Sequence, residues 1–181
     1  MGHYTRLKLD VHLQGDLPGN VLTVLQAMAA GEAHKLERTP LPAHPLFDCD
    51  NWDAIGYGAH SVFDDVIAPP RLSRDGEGDA VFWHLQLHFA LKNYQSEIQH
   101  LLDWLGPYLV SVPGTPVGEW QTEEARMREE MGDAASRPTL LVAQAGGFAE
   151  LLECSREHFS ALAQAGPVDS ENTPVTQLID G

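Results

Sequence analysis

Ala80–Tyr108, AVFWHLQLHFALKNYQSEIQHLLDWLGPY, changes period in mid-stretch. Val81, Trp83, Leu85, Leu87, Phe89 and Leu91 alternate with the polar His84, Gln86 and His88. That period of two marks a strand with one buried face. From Asn93 the apolar residues Tyr94, Ile98, Leu101, Leu102 and Leu105 recur at spacings of three and four, one stripe of an amphipathic helix. Asn93 suits an N-cap and Gly106-Pro107 a stop. A strand feeding a helix is therefore expected at the middle of a single core.

The same patterns extend outward. Tyr4–Leu13 alternates as a first strand, with Leu7, Leu9, Val11 and Leu13 inward and Arg6, Lys8, Asp10 and His12 outward. Asp16-Leu17-Pro18-Gly19 opens a helix whose stripe is Val21, Leu22, Leu25, Met28 and Ala29. Prolines 40, 42 and 45 break the next segment. A second strand is expected over Ala59–Ile67, and Asp75–Asp79 reads as a turn. A fourth strand is expected over Val117–Glu123, then a charged run, Glu123–Glu130, as a short helix or a hairpin loop. Pro138–Gln144 reads as a fifth strand and Phe148–Ala165 as a third helix.

The order β-α-β-β-α-β-β-α predicts an α+β fold: a ferredoxin-like βαββαβ core, an antiparallel sheet backed by helices, with an extra strand and a C-terminal helix. Strands one and three are expected side by side at the centre, running parallel. Residues 1–166 read as one domain and 167–181 as a flexible acidic tail.

Eleven Lys and Arg face 26 Asp and Glu, a formal charge of −15. Such a surface repels nucleic acid and anionic membrane. No apolar run approaches the roughly 20 residues of a membrane span, and MGHYTRLKLD lacks the apolar centre of a secretory signal. With only Cys49 and Cys154 and no CxxC, the expectation is a cytoplasmic protein with reduced thiols.

HYTRLKLDVHL, HPLFDCDNWDA and FALKNYQSEIQHLLDWLGPYL resemble a family of uncharacterised proteins met in phages and bacterial genomes. The resemblance covers residues 2–142, with LKNYQSEI and LDWLGPYL as its specific part, and the chain from Phe148 departs from it. It implies a phage or mobile-element setting and assigns no residue a role.

Site motifs are sparse. Parallel central strands would bring His12 beside His88, with Asp10 adjacent, and two imidazoles with a carboxylate suit zinc or iron. No cofactor is expected beyond that divalent ion. His84 lies four residues from His88, about 13 Å along a strand, too far to share one ion with it. The acidic loop Asp48, Asp50 and Asp53 fails the EF-hand pattern, having Asp53 where glycine belongs. Cys154 and His158 share a helical face. Gly146-Gly147 reads as a turn.

The reading these signals favour is a non-enzymatic acidic protein acting by binding, such as an inhibitor, immunity or counter-defence factor. Asp48, Asp50, Asp53, Asp64, Asp65, Glu119, Glu123 and Glu124 would meet a basic protein partner. A small metal-dependent hydrolase with a His/Asp site on the open sheet face is the first alternative. A self-assembling protein with Pro138–Gln144 at the subunit interface is the second.

Overall fold

The computed structural model describes residues 4–36, 41–56, 69–76 and 81–151. Six strands form one sheet: β1 (Tyr4–Gln14), β2 (Arg71–Asp75), β3 (Phe82–Lys92), β4 (Pro116–Thr122), β5 (Thr139–Gln144) and β6 (Gly147–Leu151). Their spatial order is β2-β3-β1-β4-β5-β6, and every neighbouring pair is antiparallel. Three helices accompany it, α1 (Gly19–Ala29), α2 (Glu97–Leu105) and α3 (Glu123–Glu130), making the fold α+β. Among the described residues no helix is long and apolar enough to cross a membrane.

Alternation works as the sequence predicts. Leu7, Val11, Leu13, Leu85 and Phe89 are fully buried on one face of the sheet. Val21, Leu25 and Met28 of α1 and Ile98, Leu101 and Leu105 of α2 join them in one core. The proline-rich segment closes that core from the side: Phe47 meets Trp52 and Trp104 edge-on at 5.1 and 5.2 Å. Buried Glu97 anchors it, accepting from Asn51 Nδ2 at 3.1 Å and Gln95 N at 3.0 Å.

Several expectations need correction. The two central strands are adjacent, but β1 and β3 run antiparallel, not parallel. The reason is connectivity. Only six residues of sequence separate β2 from β3, which favours an antiparallel pair, while α1 stands between β1 and β2, the crossover that strands of one direction need. β3 lies between these two and opposes both.

The expected strand Ala59–Ile67 lies outside the described residues. The second strand beside β3 is the polar Arg71–Asp75, the edge of the sheet among the described residues, with only Leu72 to pack against the core. The expected helix from Phe148 begins as β6, because Ala145-Gly146 is a two-residue turn with Gly146 at φ 75°; the remainder of that helix and the tail lie outside the described residues. Helix α2 starts at Glu97, later than expected, and Tyr94 stands out at 62% exposure. Asn93 nonetheless caps it from a distance, accepting from Ile98 N at 2.9 Å.

Helix α3 lies across the opposite face of the sheet. Gln121, 2% exposed, donates to Glu129 at 2.7 Å and accepts from Arg6 at 3.1 Å. That end of the face is thereby closed, leaving a groove over the middle of β1 and β3.

Candidate metal centre

The antiparallel register decides which side chains meet. It sets His12 opposite His84, Asp10 opposite Gln86, and Lys8 opposite His88. The expected His12–His88 pair is therefore not formed, because the two lie four positions apart along the strands. His12 and His84 instead stack with ring centroids 4.7 Å apart and planes 30° apart. Across β3, Ser73 faces His84, and Asp75, two residues further along β2, points to the same face.

His12, Asp75 and His84 each offer one ligand atom, and the three atoms lie within 4.8 Å of one another. The backbone of His12 is fixed by the segment that leads into β4. Its N–H donates to Ser111 Oγ at 3.2 Å and its carbonyl accepts from Val110 N at 2.9 Å.

Asp10 has a different place from the one expected. Its Oδ1 lies 2.6 Å from His84 Nε2, and its Oδ2 accepts from Gln86 Nε2 at 2.8 Å. Burial pushes this carboxyl up, but the hydrogen bonds from Gln86 and His84, with the charges of His84 and His12, hold it below its ordinary value. An ionised carboxylate only accepts, so His84 Nε2 carries the proton. In the neutral ring Nδ1 is then a bare lone pair. That lone pair lies 3.5 Å from Asp75 Oδ2.

With the ring neutral, two acceptors face each other there, and a positive charge between them relieves the repulsion: a second proton or a metal ion. Two ligand atoms about 2.0–2.1 Å from a tetrahedral zinc lie roughly 3.3 Å apart, close to the 3.5 Å between His84 Nδ1 and Asp75 Oδ2. A carboxylate on the far nitrogen of a ligating histidine is the usual outer partner of such a site. Three protein ligands leave one coordination position open.

Beside His12 the face is hollowed into a groove of about 910 Å³, whose floor includes Asp10, Gln86, His88, Lys8 and Arg71. Val112, Val117 and Leu140 add apolar lining.

The other expected site residues are scattered. Asp48, Asp50 and Asp53 lie on the segment packed with α2, while Glu119 lies on the opposite face, 3.3 Å from Lys8 and 3.7 Å from Arg6. Glu123 accepts from Tyr4 N, and Glu124 pairs with Arg128 within α3. Asp64, Asp65, Cys154 and His158 lie outside the described residues. Pro138–Gln144 has both edges of its strand taken, by β4 and by β6.

Sequence reading missed His84 and Asp75 as partners. The signal for His84 was present, since it shares the outward face with His12; the wrong strand direction hid it. Asp75 looked like the first residue of a turn. Comparison with family models, with curated proteins and with solved structures gave no match.

Proposed function

We propose that this protein is a small metal-dependent hydrolase, with His12, Asp75 and His84 holding a divalent transition metal and the adjoining groove holding the substrate. The observation that carries the reading is His84, tied to Asp10 through Nε2 and turned toward Asp75 through Nδ1. Its setting is a four-strand core, β2-β3-β1-β4 with α1 and α2 on one face, which we read as ferredoxin-like.

The mixed imidazole and carboxylate donor set suits zinc or iron(II). Bound there, the ion would supply a hydroxide from water near neutral pH. The chemistry so supplied would be hydrolysis of a carboxylic or phosphoric ester in the adjoining groove, the water's oxygen going to the acyl or phosphoryl group and its proton to the leaving group. One water is consumed and no oxidant is needed. On this reading Asp10 holds the ring of His84 in its ligating tautomer.

The acidic-partner reading asks for its carboxylates on one surface. The described ones divide between the two faces of the sheet, and Glu119 and Glu124 are already paired with cations. This favours the metal reading.

The test is metal uptake. Chelator-treated protein should take up one zinc or cobalt(II) per chain, with His12→Ala, Asp75→Ala and His84→Ala each losing it. The loaded protein should cleave chromogenic phosphate or carboxylate esters, and the stripped protein should not. A wild-type chain that takes up no stoichiometric metal would end the proposal.

A further inference from the structure

The groove starts at His12, the one member of the metal cluster that lines it, and runs along β1 and β3. Residues on one face of a strand repeat every second position, roughly 7 Å. The row next to His12 and His84 is Asp10, Gln86 and Arg71 by register, and the row beyond is Lys8, His88 and Glu119. All six line the groove.

Most of these charges are already engaged. Both oxygens of Asp10 are taken, by His84 and by Gln86. Glu119 is shared between Lys8 and Arg6. Arg71 is exposed and, among the described residues, faces no carboxylate partner. A divalent ion held by two neutral imidazoles and one carboxylate adds a net positive charge one row away. A chain of formal charge −15 thus carries a groove whose floor is biased the other way. Apolar, low-dielectric lining such as Val117 and Leu140 strengthens that bias. A volume of about 910 Å³ falls within the roughly 300–1,000 Å³ of small-ligand sites.

We infer that the groove takes a small substrate bearing an oxyanion, a phosphate or a carboxylate, seated on Arg71 while its scissile bond lies at the metal. This rests on the metal reading above. A guanidinium fork matches either oxyanion with two parallel hydrogen bonds. The apolar lining accepts the neutral body of the molecule.

The experiment is calorimetric titration of zinc-loaded protein with phenyl phosphate, with phenylacetate and with benzyl alcohol. Wild type, Arg71→Ala and Arg71→Lys are compared, with zinc content measured on the same samples. One or both anions should bind and the neutral alcohol should not. The tighter anion identifies the oxyanion. Arg71→Ala should weaken anion binding about tenfold or more with zinc content unchanged, and Arg71→Lys should restore part of the loss.

Anion binding that survives Arg71→Ala, benzyl alcohol binding as tightly as the anions, or failure of both anions to bind overturns the inference while the metal reading stands. Absence of zinc from the wild type is separately visible and removes both.

Discussion

Asp10 Oδ1 lies 2.6 Å from His84 Nε2, and this bond leaves Nδ1 of the same ring turned toward Asp75. The carboxylate belongs to β1 and the imidazole to β3, one pair along from their strand partners, so the contact runs diagonally across the sheet. Asp10→Asn keeps the shape and removes the charge that fixes the tautomer. Metal affinity should fall about 10- to 100-fold, read by competition with a chromophoric chelator. Unchanged affinity would show that Nε2 is not the orienting atom.

The two outward histidines of β3 should behave differently. His84→Ala, like His12→Ala, should lose stoichiometric metal, whereas His88→Ala should retain it, because His88 stands opposite Lys8. Metal content by mass spectrometry of the native protein separates them. Loss in His88→Ala with retention in His84→Ala would overturn the assignment of His84 as a ligand.

His44 gives a pH dependence remote from the metal. Burial, and then the charge of His100, push its ring below the ordinary value of 6.5, against a smaller opposing effect of Asp103. Its neutral Nδ1 accepts from Leu46 N at 3.2 Å. The unfolded chain therefore takes the proton first. This contribution to stability is complete above about pH 6.5 and declines as the pH falls below it, until the folded ring is protonated too. His44→Asn retains a capping acceptor and removes the titration. Urea midpoints should fall less steeply on acidification in the variant than in the wild type.

Gly118 lies where β4 crosses close to β1. A Cβ there would collide with the carbonyl oxygen of Lys8, which is backbone and has nowhere to go. Gly118→Ala should cost about 1–3 kcal/mol through forced separation of the strands, read as a lower denaturant midpoint with an unchanged slope. Because Lys8 and Gly118 both line the groove, ligand affinity should fall with it.

The sequence carried the elements better than their pairing. Leu7 to Leu13 and Leu85 to Leu91 alternate so regularly that burial of one face follows directly, and the α2 stripe is equally plain. Strand direction leaves no trace in that alternation, since a strand reads the same inward pattern whichever way its neighbour runs. That single undetermined sign exchanged His84 for His88 in the site. Arg71–Asp75 was missed because an edge strand needs little apolar content. Phe148–Leu151 was taken for helix because a short apolar run fits both periods. Asp75 was invisible as a ligand for a geometric reason: its partners are 63 and 9 positions away, and only the folded sheet brings the three together.

Asp75 closes a strand of five residues that, among the described residues, has a neighbour on one side only. Such a margin frays on its own, far more often than the sheet opens as a whole. A metal clasped by three strands would therefore leave when β2 lifts, with His12 and His84 still in place. Dissociation would follow the breathing of that edge. The amides of Leu72 to Asp75 would exchange slowly with solvent in the loaded protein and quickly in the stripped one, making the outermost strand a reporter of occupancy.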